Sequence, residues 1–166
     1  WQATFHEEYW RQIKQRPWLW GTFVWCLFDF SSAGRHEGDT IGRNDKGLVT
    51  ADHRTRKDAF FWYQANWTTN AMVHITSKRF WDRTRAETEL KIYSNCDEVE
   101  ARLNGASLGR KTSADCRFVW PEISLRPGVN RIAAVAFRAG QPVATDSCAW
   151  NCQTAPGPSI GSADKQ

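Results

Sequence analysis

The sequence predicts an α/β stretch over residues 1–69 followed by an all-β sandwich over residues 70–150. In the first part, apolar residues at helical spacing bracket a nearly continuous apolar run, the mark of a strand buried on both faces. In the second, short runs alternate apolar with polar residues and are separated by turn signals. The period changes near residue 70, and that change sets the boundary.

The first expected helix opens at Thr4, a plausible N-cap, with Glu7 and Glu8 in its first turn and Phe5, Tyr9, Trp10 and Ile13 along one side. Arg16 and Pro17 end it, because the residue before proline is pushed out of the α region. The apolar run then extends from Leu19 to Phe30 and closes on Asp29 and a polar loop, Ser31 to Asp39. Polar loops after buried strands are where α/β barrels keep function. A second helix is expected near 56–66, carrying Ala59, Phe60, Trp62 and Tyr63. A single parallel strand cannot satisfy its own backbone, so this stretch is the last part of a TIM barrel rather than a closed domain.

Strands are expected at 72–76, 89–94, 98–103, 117–120 and 130–137, with Asn104-Gly105 as a two-residue hairpin turn. Their number and spacing suit one immunoglobulin-like unit. Residues 151–166 are small, polar and rich in Pro and Gly, so they are expected to be a flexible tail or linker.

Composition excludes several classes. Lys and Arg number 22 against 18 acids, for a formal charge of +4, and the cations are scattered among the acids. Nucleic-acid binders concentrate them on one stripe, so no nucleic-acid partner is expected. No apolar run approaches the roughly 18–20 residues of a membrane span, and no membrane partner is expected. Cys26, Cys96, Cys116, Cys148 and Cys152 lack metal-ligand spacing, so no metal and no cofactor is expected. Five is odd, which excludes complete internal pairing; thiols are expected, with a bridge among Cys96, Cys116 and Cys148 left open. The chain begins with Trp rather than Met, as a processed or excised chain would. Its ten tryptophans, most within the first 67 residues, suit either a large aromatic core or a sugar site, where indole faces stack on pyranose rings.

Specific residues then carry a resemblance. Phe5-His6, Tyr9-Trp10, the run from Arg16 through Trp25, Phe28-Asp29-Phe30, Asn44-Asp45-Lys46-Gly47-Leu48-Val49, Asp52, and Lys57 through Tyr63 occur in order. Together they resemble the closing part of the catalytic barrel of glycoside hydrolase family 2, the β-galactosidases, β-glucuronidases and β-mannosidases. Glu89 through Asn95 and Val99 through Gly105 resemble the sandwich that follows that barrel in β-galactosidase-like members.

The resemblance implies a retaining exo-acting β-glycosidase, β-galactosidase-like, acting on terminal β-linked carbohydrate. It implies that Trp25 ends the eighth barrel strand and lines the sugar subsite, with a non-proline cis peptide to Cys26. Asn44 and Lys46 match an Asn-x-Lys pair that grips the uronate carboxylate in the family's glucuronidases, an amide and an ammonium able to converge on one anion. Lys46 is otherwise a solvated loop lysine and Asn44 a turn residue. Asp29 either hydrogen-bonds a substrate hydroxyl or braces its loop. Both catalytic carboxylates, about 5–5.5 Å apart in retaining enzymes, are expected upstream of Trp1, so this stretch alone is expected to be inactive. Glu7 and Glu8 answer a helix dipole instead.

Two further readings stand beside it: a β-glucuronidase, and a non-catalytic carbohydrate-binding or structural sandwich using Phe80, Trp81, Trp120 and Trp150. Alone, the barrel piece would expose a large apolar surface, so its expected partner is the missing upstream barrel portion or a second copy. A periplasmic or extracellular setting is compatible with a bacterial member.

Overall fold

In the computed structural model, residues 1–36, 38 and 40–153 are described. The chain divides into two compact units, Trp1–Trp67 and Thr68–Gln166. The described residues are mostly β, with few helices.

In the first unit, helix α1 spans Gln2–Lys14. It starts earlier than expected: Trp1 occupies the cap position without a side-chain cap bond, and Thr4 lies inside the helix. It ends before Arg16, as the following proline requires. Helix α2 spans Asp58–Trp67 and buries Ala59, Trp62, Tyr63 and Ala65. Polar tips tie the two helices together while aromatic bodies pack. Trp10 Nε1 donates to Asn66 Oδ1 at 2.7 Å, and its ring meets Trp67 edge-on.

Between the helices the structure departs from the expected buried strand. Residues 19–24 form no ladder, and Trp20 and Phe23 are almost fully exposed. A strand needs a neighbour, and the extended pair Leu48 and Val49 bonds to residues 26–29 instead. Leu48 N donates to Cys26 O, Val49 N to Leu27 O and Asp29 N to Val49 O, all within 2.9–3.0 Å. Beyond that bridge, strands β1 (Phe30–Ser31) and β2 (Arg43–Asn44) pair antiparallel, with Phe30 opposite Asn44.

The second unit is a two-sheet sandwich. Strands β3 (Val73–Ile75), β5 (Glu87–Ser94) and β8 (Arg117–Ser124) form one sheet in the order β3-β5-β8. Strands β4 (Asp82–Arg83), β6 (Glu98–Leu103), β7 (Ala106–Thr112), β9 (Gly128–Arg138) and β10 (Gln141–Cys152) form the other, in the order β4-β10-β9-β6-β7. Alternate residues of both sheets meet in one core. Leu90, Ile92, Phe118 and Trp120 come from the first, and Val99, Ala101, Ile132, Ala134 and Trp150 from the second. Asn104 and Gly105 turn β6 into β7 with φ of 53° and 88°, the left-handed pair that a tight hairpin needs.

Trp120 and Trp150 are therefore core residues, whereas Phe80 and Trp81 are exposed. Strand β10 carries the sandwich through Cys152, two residues into the expected tail, where Asn151 pairs with both Val129 and Asp82. Residues 154–166 of that tail lie outside the described residues. All five cysteines are thiols. Burial pushes the Cys148 thiol up to about 11.

Candidate functional site

The first unit holds a cavity of about 500 Å3 lined by Trp25 and Lys46, and by His6, Tyr9 and Phe23 among others. Helix α1 contributes Phe5, Tyr9 and Ile13 at i, i+4 and i+8, one face of a helix, so their rings and methyls form an apolar wall. Trp25 stands 70% exposed and meets Phe30 edge-on at 6.0 Å. The Trp25–Cys26 peptide is cis, as the resemblance implies.

Lys46 enters this cavity from a loop whose backbone is almost fully committed. Gln2 Nε2 donates to Lys46 O at 3.0 Å and to Gly47 O at 2.9 Å. Lys57 Nζ donates to Asp45 O at 2.8 Å, and Lys57 N to Leu48 O at 2.8 Å. Four consecutive carbonyls are thus held. Asn44 is buried, and its Oδ1 accepts from Lys46 N at 3.1 Å, a side-chain turn that sets the loop's bend. Asn44 is not among the residues lining the cavity. Gly47 permits the close approach: a Cβ there would lie 2.1 Å from Asp29 N and 2.3 Å from Phe28 C.

Asp29 is buried and its Oδ1 accepts from Lys57 Nζ at 2.7 Å. It is likewise absent from the cavity lining, which contains no carboxylate among the described residues. Glu8 is bound to Arg11 and Gln12 on the exposed side of α1. At the cavity wall, His6 Nδ1 and Tyr63 Oη lie 3.0 Å apart. Burial lowers the His6 pKa and pushes the Tyr63 phenol up to about 12, so both groups favour their neutral forms. Among the described residues, no group of three or more His, Cys, Asp or Glu is placed to hold a metal ion.

The structure thus brings Trp25 and Lys46 to one cavity, and Asn44 and Asp29 are not in its lining. Lys57, His6 and Tyr63 fall within the motif, but their partners lie far along the chain and the sequence assigns them no role. Gln2 was missed altogether. It acts on main-chain carbonyls, and no spacing rule announces that.

Residues 86–144 match a family model described as a domain of unknown function (DUF4982). A β-glucuronidase of Bacteroides fragilis is 43% identical over 134 residues, which is 80% of this chain and 19% of that protein. The solved FMN-binding β-glucuronidase of Faecalibacterium prausnitzii L2-6 superposes with a TM-score of 0.82 at 40% identity, over 93% of this chain and 23% of that one. The β-galactosidase BoGH2A of Bacteroides ovatus is 26% identical over 141 residues, 84% of this chain and 16% of that protein. The chain belongs to glycoside hydrolase family 2. It corresponds to a C-terminal part of these family 2 enzymes, spanning about a fifth of their length. The domain model falls within the sandwich, while Trp25 and Lys46 lie outside it.

Proposed function

We propose that this chain forms one wall of the terminal-sugar subsite of a retaining, exo-acting β-glycosidase, and that the sugar is a uronic acid. The observation that carries the reading is that the Trp25 indole and Lys46 line one cavity. An indole face receives the apolar side of a pyranose, and an ammonium nearby receives a carboxylate. The 43% and 40% identities to β-glucuronidases support the acid sugar over galactose. Asn44 serves the clamp through the Lys46 backbone, and Asp29 braces the loop through Lys57.

The two catalytic carboxylates come from parts of the parent enzyme beyond these residues, one as nucleophile and one as acid/base, about 5–5.5 Å apart. Residues 1–69 then close a TIM barrel. Thr22 through Trp25 find ladder partners in its neighbouring strands, and the exposed faces of Trp20 and Phe23 are covered there. The 70–150 sandwich is an immunoglobulin-like domain.

A β-galactosidase is the second reading, favoured by the similarity to BoGH2A. Rates on nitrophenyl β-glucuronide and β-galactoside, measured on the full-length enzyme and its Lys46→Ala variant, separate them. A uronic acid subsite predicts a glucuronide preference that Lys46→Ala removes. A galactoside preference insensitive to Lys46 would sink it. Turnover by residues 1–166 alone would overturn the assignment of the carboxylates to other parts of the chain.

A further inference from the structure

A cation on a loop is a poor clamp unless the loop is fixed beforehand. A lysine side chain carries four rotatable bonds, and ordering it and its backbone during binding takes away affinity. The 44–48 loop shows how that cost is met. Its four carbonyls from Asp45 to Leu48 all accept hydrogen bonds, and two side chains supply three of those donors. One is Gln2, in the first turn of α1, whose amide spans the carbonyls of Lys46 and Gly47. The other is Lys57, immediately before α2, whose ammonium joins Asp45 O to the Asp29 carboxylate. Gln2 also lines the cavity beside Lys46.

We infer that Gln2 and Lys57 are positioning residues of the sugar site: they hold the 45–47 backbone so that the Lys46 ammonium is presented to the sugar in a preset direction. The inference rests on the proposed acid-sugar reading, in which Lys46 contacts the substrate. Gln2 is the more informative of the two. Its amide makes both loop contacts from the edge of the cavity, so removing the donors leaves the buried ion pair of Lys57 intact. Methionine has nearly the same length and shape and no N–H.

In the full-length enzyme, Gln2→Met is expected to lower kcat/KM for an aryl β-glucuronide about 10-fold, chiefly through KM. The rate on the matching neutral β-galactoside should stay within about twofold, and the melting temperature should be unchanged. Lys57→Arg, which keeps the charge and the donors, should retain most of the glucuronide selectivity, whereas Lys57→Met should lose it. Lys46→Ala is the reference. If Lys46→Ala abolishes glucuronide selectivity while Gln2→Met preserves it, or lowers both substrates alike, the positioning role is wrong and the acid-sugar reading stands. If Lys46→Ala leaves selectivity intact, the acid-sugar reading fails and takes this inference with it.

Discussion

The ammonium of Lys57 lies 2.7 Å from Oδ1 of Asp29, and both side chains are buried although 28 positions separate them in the chain. Removing one partner of such a pair strands the other in a medium that solvates it poorly, at a cost of about 3–5 kcal/mol. Lys57→Met and Asp29→Asn are therefore expected to destabilise the parent enzyme strongly. The double replacement Asp29→Asn with Lys57→Met should recover much of the loss, because no lone charge remains. Denaturant unfolding of the four proteins measures this. Additive losses in the double variant would show that the two groups do not depend on each other.

Gly47 gives a second prediction. A methyl group there would sit 2.1 Å from Asp29 N and 2.3 Å from Phe28 C. Those are backbone atoms of the segment that bridges to Val49, so they cannot swing aside as a flexible side chain would. Overpacking in a fixed environment costs about 1–3 kcal/mol, and relief here requires the loop bearing Lys46 to move away. In the parent enzyme, Gly47→Ala should lower the melting temperature and, on the proposed function, the glycosidase rate as well. A variant with wild-type stability and rate would mean that the two segments do not approach this closely.

The limits of the sequence follow from where the information lies. Strands β5, β6, β8 and β9 are legible because one face of each is buried, which writes a period of two into the chain. Strand β10 is not, since most of its residues are exposed or half-buried and its second residue, Pro142, sits at a register shift against β9. Proline lacks a ladder donor and is tolerated at such an irregularity. The apolarity of the run 19–30 predicts a strand, but a ladder depends on neighbours that composition does not contain. In the site, Trp25 and Lys46 are legible as parts of a motif. The anchoring of the Lys46 loop by Gln2 and Lys57 is not, because contacts to carbonyls leave no residue pattern.

The sandwich has its own polar hub. Asn130 is fully buried; its Oδ1 accepts from Arg126 N and Asn104 Nδ2, and its Nδ2 donates to the carbonyls of Arg126 and Gly128. All four of its hydrogen-bonding capacities are used. Asn130→Asp keeps the shape but turns a carboxylate oxygen toward two carbonyls, each lost donor costing about 1–3 kcal/mol and more for a charged group. The introduced carboxyl prefers its neutral form when folded, so its pKa rises above the unfolded value. The penalty should be largest at neutral pH and shrink as pH falls toward the unfolded pKa. Denaturant midpoints of variant and wild type at pH 7 and pH 4.5 test this; a gap that widens in acid would contradict it.

His6 sets a pH dependence of the opposite sign. Burial lowers its pKa below the ordinary 6.5, while its Nδ1 lies 3.0 Å from a Tyr63 hydroxyl that stays protonated up to about 12. Above pH 6.5 the imidazole is neutral in both folded and unfolded chains, and its contribution to stability is complete. As pH falls through 6.5 the unfolded chain takes up the proton first, so stability declines until the folded pKa is reached and then levels off. The neutral pair also holds α1 to α2 beside the cavity, so the same titration should loosen the apolar wall that faces Trp25. His6→Phe keeps a ring in that wall without a titrating nitrogen, and it should flatten the stability profile between pH 6.5 and 5 while leaving the profile at pH 7 and above parallel to wild type. Unfolding free energies across that range, for both proteins in the same buffer series, decide the matter. Identical slopes below pH 6.5 would mean that the imidazole takes up its proton as readily in the fold as in the unfolded chain, and burial would not disfavour its charge.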